Sequence, residues 1–356
     1  MLQWPQLFRR CPGVSWGQLL TLWLSLACLL PGRLSGAESA SPGYVISTWR
    51  MAEGLPLDKV RAVLQASDGY LWVATFNGLA RFDGVRFRIF TAANTPELRN
   101  DLITCLFEDR QQQLWIGSET GEITVCSGDG FKSVPCGSEW RSAPIQRFVQ
   151  GADETVWTLN RLGWLLPFKN ANSGSILRSA SPLPYEQVCA DSQGDLWVSQ
   201  GGMLLRLPGA ESTKSLECPP ASKGSRVIFP SRRGGFWIIE DNWVRRWDQG
   251  QWVEDRGRHQ WRRLAPAALL ETRAGQLVVG TLDQGLDILE ADGHVVHLDS
   301  RNGLAHDWIG CLCEDYEQNL WVGTGGGLNV LRPRRVMMVN APDQWQGRAV
   351  LSVTTN

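Results

Sequence analysis

The chain has 356 residues, with 35 Lys and Arg against 36 Asp and Glu and a formal net charge of −1. That length holds one large repeat domain and little besides. The even charge balance, with no basic run, argues against a nucleic-acid partner, and 37 Gly point to a turn-dense, all-β chain.

Residues 1–37 stand apart. Arg9-Arg10 form a positive start, Leu19 to Leu30 is apolar apart from Thr21 and Ser25, and Ser35-Gly36-Ala37 offers small residues for cleavage. The pattern predicts a secretory signal peptide cut near Ala37. An uncleaved N-terminal anchor is the alternative. A lipoprotein would need Cys28 as the modified residue, and Ser25-Leu26-Ala27 suits that poorly. The leader predicts a periplasmic or extracellular location, which is oxidising. Of 9 Cys, Cys11 and Cys28 fall in the leader, leaving an odd seven. Cys105, Cys189, Cys311 and Cys313 sit in short apolar runs that suit a small buried side chain. Cys311 and Cys313 share one face but are too far apart for an easy bridge. Cys126 and Cys136 flank a hairpin out of register, and Cys218 stands alone. No disulfide framework, metal site or cofactor is expected.

After a polar tether at 38–42, Tyr44-Val45-Ile46-Ser47-Thr48-Trp49 precedes Glu53-Gly54-Leu55-Pro56. The stretch parallels Val295–Leu298 followed by Asn302-Gly303-Leu304-Ala305. It therefore reads as an outer strand that arrives before any sheet of its own. It is predicted to pair with Gly327–Leu331 at the far end of the domain, in competition with Val336–Val339 for that open edge.

Residues 58–90 then form the first full repeat. Val60-Arg61-Ala62-Val63-Leu64 is an apolar run, Ser67-Asp68-Gly69 a turn, and Tyr70 to Thr75 a strand. Phe76-Asn77-Gly78 turns again before Leu79–Phe82. Asp83-Gly84 predicts a two-residue type I′ hairpin, and Val85–Phe90 alternates like a half-exposed strand. The remaining repeats are predicted at 101–135, 144–180 (with a longer hairpin at 170–175), 186–217, 225–254, 267–298 and from Trp308 to Leu331. Each is anchored in its second strand by Trp72, Trp115, Trp157, Trp197, Trp237, Val278 or Trp321, at steps of 43, 42, 40, 40, 41 and 43 residues. A period in this range marks a repeat architecture. A four-stranded sheet cannot bury both faces alone, whereas seven stacked radially bury them all. The prediction is a seven-bladed β-propeller of four-stranded antiparallel blades over 38–332, with the anchor Trp residues buried between blades. Residues 333–356 read as a linker and the start of a further repeat at Ala349–Val353, as in the front part of a longer chain.

Glu53-Gly54-Leu55-Pro56, Asp68 to Thr75 and Gly78 to Gly84 closely resemble the two-component-regulator propeller repeats, and Asp315 to Thr324 with Gly326-Gly327-Leu328 nearly as well. The resemblance spans about residues 44–332 and is sharpest in blades one, two and seven. It implies the extracytoplasmic sensor region of a two-component signalling protein, of the kind that precedes a membrane helix and a histidine kinase or other output. It also implies a carbohydrate or other small extracellular ligand. No output domain is read within this chain, and a membrane link would run only through the leader or a further segment. A scaffold or protein-interaction propeller is the alternative, and the oligomeric state, including a homodimer, stays open.

An enzymatic propeller would need His, Arg or acidic residues converging on the axis, and no such set recurs, so no enzyme is expected. A propeller lyase or quinoprotein is the least favoured reading. His294 and His297 fall on an outer strand. His259 lies in a basic stretch with Arg256, Arg258, Arg262 and Arg263 that reads as an exposed connection. Only His306 leads into an inner strand. Asp58, Asp101 and Asp307 recur just before first strands, as turn caps or as a carboxylate ring. Turns alternate faces, so the loops between second and third strands share a rim with the blade connections. Side chains there can bond a polar ligand: Asn77, Glu119, Arg161, Asp241, Asn242 and Asp283, with Arg50, Asn302 and His306 from the connections.

Overall fold

In six of the seven sheets four antiparallel strands follow one another in sequence order, because the turn residues between them leave no length for a crossover. The computed structural model describes residues 43–334, apart from short stretches at 129, 138, 141–142, 170, 180–181, 208–213, 216–225 and 262–265. The leader, the tether, Cys218, Val336–Val339 and Ala349–Val353 lie outside the described residues. Seven four-stranded sheets form. The first strands of successive blades, Val60–Gln65, Ile103–Glu108, Ile145–Gln150, Gln187–Ala190, Arg226–Pro230, Ala268–Glu271 and Ile309–Glu314, line the centre of the ring. The fold is a seven-bladed β-propeller.

Seven apolar clusters hold it, one at each interface between blades. Trp72 joins Ile103, Leu114 and Ile116 of blade two, and Trp115 joins Phe148, Val156 and Phe168 of blade three. Trp197 joins Ile228, Phe236 and Trp247 of blade five, and Trp321 joins Val63, Val73 and Phe82 of blade one. Trp237 and Val278 occupy the same position in two further clusters. In blades two, four and seven an Asp six residues upstream fixes the indole. Asp109 Oδ2 accepts from Trp115 Nε1 at 2.7 Å, Asp191 from Trp197 at 2.9 Å and Asp315 from Trp321 at 2.8 Å. The other oxygen caps the turn, accepting the backbone N–H of Gln113, Asp195 or Asn319. One carboxylate thus sets both the turn and the ring that follows it.

Trp157 departs from this rule and is only half-buried. The flank of blade four offers it Leu205 and Leu207, themselves half-buried, where the other interfaces supply an aromatic ring or deeper cover.

The ring closes through Tyr44–Trp49, which pairs antiparallel with Gly327–Pro333, Ile46 opposite Leu331 and Trp49 opposite Leu328. Its Tyr44 belongs to the cluster between blades six and seven. Its Trp49 packs on the cluster between blades seven and one, 5.4 Å from the Phe82 ring and 5.3 Å from that of Trp321.

A second, polar set of contacts runs around the ring. The last residue of an inner strand accepts the backbone N–H of the residue two past the same position in the preceding blade. Ser67 donates to Glu108, Arg110 to Gln150, Arg232 to Glu271, Arg273 to Glu314 and Tyr316 to Gln65. The equivalent acceptor positions in blades four and five hold Ala190 and Pro230, which have no side-chain acceptor. At the junction of blades three and four, Ala152 N–H instead reaches Gly194 O at 2.9 Å.

Several local expectations are corrected. Asp83 does not take the positive φ a type I′ turn would need there; Gly84 does, at +97°. Asp83 Oδ1 accepts from Val85 and Arg86 N–H, so the outer strand begins only at Phe87. The outer strand of blade three is Asn172–Ser173, inside the stretch read as a long hairpin. The basic stretch before His259 is not an exposed connection. Gln251–Arg258 is one long outer strand, Arg256 is buried against Glu254 at 2.7 Å, and His259 stacks on Trp261 at 4.9 Å.

Candidate ligand-binding site

A β-bulge recurs at the start of the inner strand in blades seven, one, two and three, which are neighbours around the ring. A bulge adds one unpaired residue and re-aims its side chain. The extra residues are Gly310, Arg61, Thr104 and Gln146, and all four line the central channel. Blades four and six keep regular register at their inner pairs, so the polar side chains are concentrated on one half of the channel wall.

Two connected spaces result. The channel has a volume of about 610 Å³, walled by Val63, Cys105, Cys189, Cys311 and other inner-strand residues. Its mouth, about 370 Å³, is lined by Arg61, Thr104, Gln146, Arg147, Arg161, Glu119 and Glu186. Each space is within the size range of small-molecule sites. Among the described residues neither Arg61 nor Arg147 has a carboxylate partner, and the buried Arg61 Nε has no hydrogen bond. Arg61 instead lies over aromatic faces, 4.9 Å from the Phe76 ring centroid and 5.9 Å from that of Trp308, with Lys59 4.8 Å from the same Trp308 ring. Burial pushes the channel thiols up to about 12 at Cys105, Cys189 and Cys311. Arg147 pulls the first two down and Arg61 pulls Cys105 and Cys311 down, so both guanidiniums project their field into the channel.

Of the side chains expected on the rim, Glu119 and Arg161 are at the mouth. Their backbone amides are tied to Leu102 O and Pro144 O of the adjacent connections, which leaves the side chains directed by the loop. The others serve the fold or stand elsewhere on the surface. Asn77 Nδ2 donates to Pro56 O, and Asn242 Nδ2 to Trp261 O. Asp241 and Asn242 take φ of +48° and +66° as the centre of a tight turn. Asn302 clips its own connection, accepting from Asp299 N–H and donating to His297 O. His306 Nδ1 accepts from Trp308 N–H, and Arg50 Nε donates to Gly326 O. Asp283 is exposed, away from both spaces. The recurring Asp residues are turn caps, not a carboxylate ring. Asp58 accepts from Met51 N–H at 2.6 Å, Asp101 from Ala92 at 2.6 Å and Asp307 from Ser300 at 2.7 Å.

Sequence reasoning missed Arg61, Thr104, Gln146, Arg147 and Trp308. The available signal was a charge inside an inner strand: Arg61 between Val60 and Val63, and Arg147 between Ile145 and Phe148. A cation there has nowhere to go but the channel. No His, Cys, Asp or Glu cluster able to hold a metal occurs among the described residues.

Residues 54–77, 97–120 and 303–326 match the family described as two component regulator propeller. The chain therefore carries these repeats, and the matches fall in the stretches entering blades one, two and seven. No curated protein gives a significant sequence match. Among solved structures, the chain is similar to a streptogramin B lyase, at 14% identity and TM-score 0.65 over 82% of this chain and 98% of the other. It is similar to the extracellular domain of BT4673 from B. thetaiotaomicron, described as a hybrid two component system, at 20% identity and TM-score 0.65 over 81% of this chain and 39% of that one. The extracellular domain of BT3049 from the same organism, described likewise, gives 18% and 0.63 over 82% and 42%. The chain thus spans about two fifths of the length of those two ectodomains.

Proposed function

We propose that this chain, as a carrier of two-component-regulator propeller repeats, is the ligand-binding propeller of an extracytoplasmic sensor, without catalytic activity of its own. The observation that carries the reading is the channel mouth. Three adjacent bulges, in blades one to three, turn polar side chains into a space of small-molecule size, on the face the loops between second and third strands share with the blade connections. Bulges cost ladder hydrogen bonds, and a ring built only for stability has no use for a half-set of them. The repeats and the two extracellular neighbours support a sensor role and a periplasmic or extracellular place. Small oligosaccharides or other polar metabolites are the ligand class. Output, by kinase or otherwise, would come from segments beyond those described. The likeness to a lyase rests on the shared ring. His306 at this end of the domain is occupied by its own loop.

The test is a plug. Gln146 is exposed and points to the mouth from a bulge. Gln146→Trp should abolish small-molecule binding found by a thermal-shift screen of polar metabolites while leaving the melting temperature of the unliganded protein unchanged. Binding that persists in the plugged protein would move the site elsewhere.

A further inference from the structure

We propose that the mouth is an anion site, selecting ligands that carry a carboxylate, held between Arg61 and Arg147. The inference rests on the mouth being the binding site and adds the chemistry it selects.

The argument starts from cost. A guanidinium taken partly out of water without an anion recovers only part of its lost hydration from an aromatic face, here Phe76 and Trp308 for Arg61 and Phe229, at 6.0 Å, for Arg147. Arg61 and Arg147 bear this cost together, on inner strands two blades apart that face one channel. The less exposed arginines of blade five have such a partner: Arg256 faces Glu254 at 2.7 Å and Arg246 the same carboxylate at 3.4 Å. At the mouth the acidic residues are Glu119 and Glu186, and neither forms an ion pair with Arg61 or Arg147 among the described residues. Glu186 is partly engaged by Gly201 N–H at 3.3 Å. The channel arginines are thus left with donors and no acceptor.

Geometry narrows the ligand. A guanidinium presents parallel N–H groups that match a carboxylate in two-point contact. Phe76 and Trp308 flank Arg61 and hold its guanidinium in place, and a Cβ on Gly310 would fall 2.4 Å from the Trp308 ring, so only Gly leaves that ring room beside Arg61. Lys59, on the same ring, adds a further positive charge on that side. Gln146 supplies amide groups between the arginines, suited to ligand hydroxyls, and Thr104 Oγ1, which donates to Ile145 O at 2.7 Å, keeps its lone pairs to accept from one. Anion and hydroxyls together describe an acidic sugar or a hydroxy acid better than a neutral saccharide.

The experiment titrates the full chain by calorimetry at low salt with sodium glucuronate, sodium sulfate and glucose. Glucuronate should bind, glucose at least tenfold more weakly, and sulfate competitively. Arg147→Gln and Arg61→Gln should each weaken glucuronate at least tenfold, with Arg147→Lys between the two, since charge survives but the fork is lost. Folding of each variant is checked by its melting temperature, and if Arg61→Gln does not fold, Arg147→Gln and Arg147→Lys carry the test. Glucose binding as tight as glucuronate, lost in Gln146→Trp, would overturn the anion selection and leave the mouth as the site. Glucuronate binding unchanged by Gln146→Trp would overturn both. Absence of glucuronate binding, or binding indifferent to the arginine substitutions, would overturn the clamp.

Discussion

Trp115 offers the sharpest test of how the blades are held. Its side chain is 1% exposed, its ring centroid lies 5.4 Å from Phe168 and 6.0 Å from Phe148, and its Nε1 donates to Asp109 at 2.7 Å. Trp115→Ala removes the whole ring from the interface of blades two and three, and a buried aromatic cut to Ala costs about 3–5 kcal/mol. In a ring of this size each kcal/mol lowers the melting temperature by roughly 2–4 °C, so a fall of about 6–20 °C is expected. Trp115→Phe keeps most of the volume but strands Asp109 Oδ2, and a hydrogen bond to a charged acceptor is worth about 1.5–3 kcal/mol. A double-mutant cycle of Trp115→Phe with Asp109→Ala should return a coupling energy within about 0.5–3 kcal/mol. Differential scanning calorimetry and urea titration read both. The control is Trp243→Ala, where the side chain is 39% exposed and a loss near 0.5 kcal/mol is expected. Equal losses at Trp115 and Trp243, or a coupling of zero, would refute the claim that one carboxylate locks turn and ring together.

Three further outcomes follow from the packing. Trp49→Ala should cost about 2–4 kcal/mol and raise light scattering on warming as the edge of blade seven opens; unchanged melting and scattering would deny this strand its closing role. Gly285→Ala should destabilise far more than Gly275→Ala. Both glycines have positive φ, but a Cβ on Gly285 would sit 2.2 Å from Leu298 O, whereas Gly275 faces open space; circular-dichroism melts that match would contradict the close approach of third and outer strands. Cys105, Cys189 and Cys311, with thiols pushed up to about 12 by burial, should resist a thiol reagent at pH 8 and react on unfolding. Because these thiols are held neutral in the fold and ionise near their ordinary value once unfolded, their contribution to stability is intact at pH 7 and declines as pH rises above that value toward 12. Native-state labelling at the unfolded rate would reject their burial.

The fold was legible because its signal is repeated. Seven anchors at nearly equal steps specify seven blades even where one copy, Val278, has lost its ring, and the parallel between Tyr44–Trp49 and Val295–Leu298 located the closing strand. Trp157 was misjudged because the cover on an anchor comes from the next blade, which its own repeat does not encode. The site was barely legible. Loop polarity pointed to the rim that holds the mouth, where Glu119 and Arg161 lie, but Asn77, Asn242, Asn302 and His306 proved to be occupied by backbone. The residues that shape the channel enter through bulges. A bulge shifts register by one residue without changing hydrophobic pattern, so Arg61 and Thr104 read as ordinary members of an inner strand until the pairing is known.

The closing strand also dictates an order of events. Ile46 meets Leu331, and Asn329 Nδ2 reaches Thr48 across 281 residues of chain. Within a blade, strands meet across about ten residues. Loop-closure entropy grows by roughly 0.6 kcal/mol per doubling of length, so this contact starts about 3 kcal/mol behind the local hairpins. It is the contact to form last, after six blades have stacked and brought the two ends of the ring together. Until then the outer edge of Gly327–Pro333 and the apolar side of Tyr44 and Trp49 are both bare. A growing or refolding chain therefore passes through an open horseshoe, in which the bare edge of one molecule can accept the leading strand of another. Domain-swapped dimers formed at high concentration are the characteristic misassembly of a ring tied by its first strand.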